Sequence, residues 1–400
     1  MNTVDVRRLL DAVRAGREDT LSLLRFVHAH PELAYEEQAC TAEIVARLRA
    51  AGFDVTRPYA GIDTCFRAEL VRGTGPRIGL VLLCDALPAY GPDGAVTPIH
   101  ACGHNVIAAA VALAASVLAV AGPAAGTVVV MGLPADEIHS PGTRLRGGGK
   151  TVTAAAGAWD DLEAVLYAHP ENIDTVWRRS RRMQRCRLAL TGRRALFTAD
   201  PDAVGAMMRV LALAAEAGQR YGRSDVVVEE VCLEGDVEHA SGIRGRAVLL
   251  LFADDAAGLT ARVQTLGGAV RDAATGMGTI AAWEAVGPVY EEILPNRVLT
   301  EVVARAFRAT GREFIGDPQT LPFATDFGNL SRRVPGALVG IGRRGGWRFH
   351  TLEGHEEFAS PEAEEVMIAM ASVLALAAAE LMSDPGLAAR ARTEFEEARR

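Results

Sequence analysis

Three apolar runs constrain what this chain can fold into. Ile78-Gly-Leu-Val-Leu-Leu-Cys84, Thr127-Val-Val-Val-Met-Gly-Leu133 and Ala164-Val-Leu-Tyr167 are continuously hydrophobic rather than alternating, so they read as strands buried on both faces. Each is separated from the next by a helical pattern or a long loop, which calls for an α/β architecture with a parallel-rich sheet flanked by helices. Each run also ends in polar or reactive residues: Asp85, then Asp136-Glu137, then His169-Pro170. In open α/β sheets the carboxyl ends of the strands are where sites are built.

Around these strands, helical periodicity runs from about Thr20 to His28, pauses at His30-Pro31-Glu32 and resumes from Tyr35 to Ala51, with Gly52 as its stop. Two Ala-rich runs, Val106 to Ala121 and Met367 to Met382, resemble membrane spans in composition. The first is short and the second contains Glu380, so both read as buried core helices. Near Arg179 the character changes. Strand-like Arg187 to Thr191, a helix from about Ala203 to Ala217, strands at Val226 to Val231 and Val248 to Phe252, and a helix from about Ala256 describe a β-α-β-β-α-β unit. Residues 179–287 therefore read as an inserted second domain between residues 1–178 and 288–400, in keeping with a 400-residue chain that exceeds one core.

The net charge is −8, and no Lys/Arg block tracks a polyanion, which argues against nucleic acid or an acidic membrane as partner. The opening residues lack the apolar stretch of a secretory signal, and the expected location is the cytoplasm. Six scattered cysteines then read as free thiols.

The chemistry concentrates in His100-Ala-Cys-Gly-His104-Asn105, which sets a thiol and an imidazole side by side after a strand. Borderline-soft divalent ions take such donors, provided that others converge from elsewhere. Glu137, His169 and a late histidine near position 350 are the candidates, because a parallel-rich sheet brings separate strand ends to one edge. The pair Asp136-Glu137 fits a division of labour: one carboxylate binds metal while its neighbour shuttles protons. Gly147-Gly-Gly-Lys150 lacks the strand-loop context of a phosphate loop. His139 and His239 read as surface or supporting residues, and His30 and Glu32 as groups that orient a ligand or close a turn.

The string His28-Ala-His-Pro-Glu-Leu-Ala-Tyr-Glu-Glu37, followed by Cys84-Asp-Ala-Leu-Pro88, His100 to Asn105, Pro134-Ala-Asp-Glu137, His169-Pro170 and Thr325-Asp-Phe-Gly-Asn-Leu-Ser331, resembles the metal-dependent amidohydrolases of the aminoacylase/carboxypeptidase superfamily. Within it, the aminobenzoyl-glutamate hydrolase and auxin-conjugate hydrolase branch looks closest. The resemblance covers almost the whole chain. It implies a zinc-peptidase-like catalytic domain, discontinuous over residues 1–178 and 288–400, with a ferredoxin-like insert serving as lid and dimerisation domain. It further implies a homodimer with two divalent ions, zinc or manganese, held by Cys102, His104, Glu137, His169 and a C-terminal histidine. Asp136 stands where the family's general base stands, and the substrate is a small-molecule amide. Asp326 and Asn329 lie in a loop expected to shape the pocket, with a plain turn as the alternative.

Several positions depart from the family pattern. The usual base is Glu; Asp136 is shorter by one carbon–carbon bond of roughly 1.5 Å, where a 1 Å misplacement can cost about a hundredfold in rate. Leu196 occupies the place of a lid histidine that steadies the oxyanion, a role that can be worth ~3 kcal/mol. The accompanying Asn-x-x-Pro segment is not recognisable around Ser241 to Arg244, and an arginine is missing near Ala253. These changes point to an altered substrate. For the last ligand, Phe349-His350-Thr351 fits the His-Ser/Thr form and His355-Glu-Glu-Phe358 fits a second form less one residue; His350 is preferred. The expected activity is hydrolysis of an amide or related C–N bond. Hydrolytic deamination of an aromatic amine, and a binding or scaffold role on the same fold, are the alternatives.

Overall fold

The computed structural model describes residues 4–192, 202–221, 225–234 and 242–400. The chain opens with helices α1 (Val6–Ala15), α2 (Arg17–Ala29) and α3 (Gln38–Ala50), then strands β1 (Asp54–Thr56), β2 (Phe66–Val71) and β3 (Arg77–Leu83). A hairpin of β4 (Leu87–Tyr90) and β5 (Val96–Ile99) precedes α4 (His104–Ala121), β6 (Thr127–Leu133), the short α5 (Pro141–Arg146) and α6 (Gly149–Ala155), β7 (Ala164–Glu171) and β8 (Thr175–Trp177). Next come β9 (Arg182–Gly192), α7 (Ala203–Tyr221), β10 (Val226–Glu234), β11 (Ile243–Ala253), α8 (Ala256–Gly276) and β12 (Ile280–Tyr290). The chain closes with α9 (Arg297–Ala309), α10 (Phe327–Ser331), β13 (Gly336–Gly342), α11 (Leu352–Glu357), α12 (Pro361–Ser383) and α13 (Pro385–Ala398).

The three apolar runs become β3, β6 and β7, side by side in a seven-stranded sheet ordered β1-β2-β6-β3-β7-β13-β8. β6, β3, β7 and β13 are mutually parallel, whereas β1, β2 and β8 add antiparallel edges. Leu80 of β3 pairs with Val130 on one side and Leu166 on the other, all three fully buried, which is why these runs carry no polar alternation. The two Ala-rich helices, α4 and α12, pack on each other and on β3 and β7. Although α4 starts two residues earlier than the Ala-rich run and both helices are long enough to cross a membrane, 78% and 83% of their apolar windows are buried inside the protein. Helices that are apolar all round belong in a core, where small alanine side chains let neighbouring backbones approach.

The second sheet is ordered β10-β11-β9-β12, every pair antiparallel, with α7 and α8 packed on it around a separate core that includes Leu188, Val210, Leu249 and Val270. The β-α-β-β-α-β order with β9 and β11 central is the ferredoxin-like arrangement expected of the insert. The helix expected from Tyr35 starts instead at Gln38. The Glu32 carboxylate accepts from the backbone N–H groups of Gln38, Ala39 and Cys40 at 2.8 to 3.0 Å, and so holds this helix start in place. His30 stacks on Phe26 and takes no part in the site described below.

Candidate metal centre

The carboxyl ends of β3, β6, β7 and β13 open onto one edge of the large sheet, and the chain there is bent sharply to aim side chains inward. Gly103, at φ +84°, joins Cys102 to His104 at the first turn of α4. Ala135 (φ +60°) precedes the acid pair Asp136-Glu137, and His350 itself sits at φ +59° in the loop after β13. Left-handed backbone at non-glycine residues is uncommon, and two of the three bends here are of that kind.

The five candidate ligands meet in two triads that share one atom. Cys102, His104 and His169 form one, and Cys102, Glu137 and His350 the other; within each, the donor atoms lie within 4.8 Å of one another. The Cys102 sulfur lies 3.5 Å from His169 Nε2, His350 Nε2 lies 3.6 Å from Glu137 Oε1, and His104 Nε2 lies 3.9 Å from the same oxygen. His355 stays outside, stacked on His28 with ring centroids 4.3 Å apart. A divalent ion fits this donor set, since sulfur, imidazole nitrogen and carboxylate converge on one place. His104 Nε2 is buried without a hydrogen-bond partner among the described residues, as expected of a nitrogen reserved for a metal. His169 Nδ1 lies 2.7 Å from the Pro170 carbonyl, which places a proton there and leaves the Nε2 lone pair facing Cys102. The site is rich in anions: burial, with Glu137 and Asp136 nearby, pushes the Cys102 thiol well above its usual range. A bound cation would relieve that repulsion and release the thiol proton.

Asp85 ties the two triads together. It is 1% exposed; its main-chain carbonyl accepts from His104 Nδ1 at 2.9 Å with the carboxylate Oδ1 equally close, and its Oδ2 accepts from the Glu137 backbone N–H at 2.8 Å. Burial opposes a charge on His104, but Asp85 outweighs it and raises the imidazole to about 9. Such carboxylate–histidine pairs orient a ligand and raise its basicity. Asp85→Asn is expected to weaken metal affinity by about 10- to 100-fold in a chelator-competition titration; unchanged affinity would show that Asp85 only closes a turn.

Asp136 lies beside the triads, its Oδ2 3.7 Å from His104 Nε2. Its Oδ1 pairs with the Lys150 ammonium, and its Oδ2 accepts from the Tyr167 hydroxyl at 3.2 Å. Burial works against its charge, but Lys150 and His104 hold the carboxyl well below the usual range. Asp326 and Asn329 do not line the pocket as expected. Asp326 is 2% exposed and bound to Lys150, while Asn329 accepts from the Glu291 N–H at 3.2 Å and donates to the Val289 carbonyl at 2.9 Å. Their polar atoms are consumed in bracing α6 and the strand returning from the second sheet. Leu196, His239 and Ser241 lie outside the described residues.

Glu137 and His350 reach a cleft of about 560 Å³. Its outer wall is apolar, built by Leu87, Tyr90 and Ile99 of the hairpin with Ile138 and Leu352. On the far side Arg144 of α5 meets Glu229 of β10 at 3.2 Å, so the cleft lies between the two sheets. His139, expected at the surface or in support, lines the cleft as well. Sequence reasoning passed over Asp85, Lys150, Tyr167 and Arg144 as site residues. Asp85 had a usable signal, a carboxylate directly after a buried strand. Lys150 stood in a glycine run read only against the phosphate loop.

Residues 84–380 match the family described as peptidase family M20/M25/M40. The chain is 29% identical to a Mus musculus Xaa-Arg dipeptidase, covering 97% of this chain and 91% of that protein. It is 31% identical to one of the subunits of the Escherichia coli p-aminobenzoyl-glutamate hydrolase over 42% of this chain and 38% of that one. Among solved structures, a Bacillus subtilis dinuclear metal binding peptidase from the M20 family superposes with a TM-score of 0.67 at 18% identity, covering 92% of this chain and 99% of that one.

Proposed function

Because the chain belongs to the peptidase family M20/M25/M40, and is thereby a metal-dependent hydrolase acting on amide C–N bonds, we propose that it is a dinuclear amidohydrolase of a small molecule, of the N-acyl amino acid or aryl amide type. Cys102, His104, Glu137, His169 and His350 hold two divalent ions, zinc or manganese. The observation that carries this reading is the pair of donor triads sharing the Cys102 sulfur. A divalent ion held there supplies Lewis acidity toward a carbonyl and lowers the pKa of water. Asp136 acts as general base, taking the water proton at Oδ2 and later delivering it to the leaving nitrogen. The apolar wall of the cleft excludes water and receives the acyl or aryl group.

The protein works as a homodimer in the cytoplasm. Edge strand β10 leaves Val227, Val228, Val231 and Leu233 exposed, a surface suited to a second copy, and the six free cysteines suit a reducing compartment.

Elemental analysis of the purified protein and of Cys102→Ala, with turnover of p-aminobenzoyl-glutamate, auxin–amino acid conjugates and Xaa-Arg dipeptides measured on the same samples, tests the reading. The expected result is about two ions per chain in the wild type, with both metal content and turnover falling in the variant. Failure to bind zinc or manganese at all would leave a binding protein on a hydrolase fold.

A further inference from the structure

Lys150 is fully buried, and its ammonium sits between two carboxylates. The ammonium pairs with Asp136 Oδ1 and, at 2.8 Å, with Asp326 Oδ1, and it lies 4.8 Å from the centre of the Tyr167 ring. The backbone N–H of the same residue donates to Asp326 Oδ2 at 3.1 Å. Asp326 thus grips Lys150 at both ends, and a Cβ at Gly148 would come within 2.3 Å of Asp326 Oδ2, so the carboxylate is seated against backbone. Burying a lysine among polar groups is costly and persists only where the geometry is well paired.

The consequence falls on Asp136. A carboxylate is planar, so fixing Oδ1 by an ion pair and Oδ2 by the Tyr167 hydroxyl leaves its plane no freedom to turn. Oδ2 is then the oxygen on the His104 side, 3.7 Å from its Nε2. The side chain of an aspartate is shorter than that of a glutamate by one carbon–carbon bond of roughly 1.5 Å, so the direction of its carboxylate counts for more. We propose that Lys150, held by Asp326, is the positioning residue of the reaction: it locks the Asp136 carboxylate so that Oδ2 faces the paired donor triads. This rests on Asp136 being the base. Lys150 is fully buried and, among the described residues, pairs with Asp136 and Asp326 rather than with a candidate ligand; it acts through Asp136. The same clamp accounts for the placement of Asp326 away from the cleft, with its carboxylate spent on Lys150.

The test compares Lys150→Met, Asp326→Asn, the double variant Lys150→Met/Asp326→Asn and Asp136→Asn, with kcat and KM measured on whichever of the three amide classes above the wild type turns over best, alongside thermal midpoints and crystal structures. Lys150→Met leaves both Asp326 and Asp136 without their shared cation and is expected to lose stability; the double variant removes the Asp326 charge and regains part of the midpoint. In the double variant kcat is expected to remain about a hundredfold low, the cost of a displacement near 1 Å. KM should stay within about threefold, because uniform substrate binding is untouched. The crystal structure should show the Asp136 carboxylate turned or shifted by more than about 0.5 Å. Full recovery of kcat together with the midpoint would show that Lys150 merely neutralises Asp326, and an unmoved carboxylate would overturn the proposal without any substrate. An active Asp136→Asn would instead remove the base, and the clamp's purpose with it.

Discussion

Asp136→Asn is expected to lower kcat by about a thousandfold while the protein keeps its metal ions and its thermal midpoint. The magnitude follows from general acid–base catalysis, whose typical contribution is about 10²- to 10⁴-fold. Asparagine preserves the shape, so its amide oxygen still accepts from Lys150, and the Tyr167 hydroxyl can turn from donor to acceptor opposite the amide nitrogen. What is lost is the ability to take a proton. Metal content should hold because Asp136 stands outside both donor triads. Steady-state kinetics on the best amide substrate, paired with elemental analysis of the same preparation, gives the answer. Turnover within tenfold of the wild type would move the base elsewhere, and loss of metal would make Asp136 a ligand.

Gly103→Ala is expected to damage stability and metal binding together. At φ +84° a side chain costs about 1–2 kcal/mol from backbone strain alone. The added Cβ would also come within 2.6 Å of Phe358 Cε1 and 2.8 Å of Pro170 Cγ, both rigid neighbours, and Phe358 is fully buried. Overpacking of that kind costs about a further 1–3 kcal/mol, which places the fall in the midpoint on the order of 10 °C. The chain relieves the clash by moving the turn, and Cys102 and His104 flank it on either side. Thermal unfolding with metal analysis distinguishes this from a purely local effect: a midpoint loss with full metal content would mean that the turn is rebuilt around intact ligands.

Much of the fold was legible because burial writes itself into composition. A strand covered on both faces needs no polar alternation, so β3, β6 and β7 stand out as continuous apolar runs, and polar residues follow wherever such a strand emerges. Glu137 and His169 were proposed by that rule, and Cys102 and His104 by the motif that opens α4; the structure brings all four close together. The likeness to known amidohydrolases added the choice of His350, which joins Cys102 and Glu137 while His355 stacks on His28. Less legible were the groups that work through another side chain. Asp326 was expected in the pocket from its place in the loop of residues 325–331; its contact with Lys150 spans 176 positions. Arg144 carried no sign of its partner Glu229, which comes from the other sheet.

Donor types and their order along the chain were thus set by local rules: which strands are buried, where they end, and which residues a divalent ion accepts. Partners were not. Whether Lys150 faces solvent, a phosphate or two carboxylates depends on side-chain direction and on segments brought together only by packing, and a buried charge takes whichever counter-charge that packing leaves within reach.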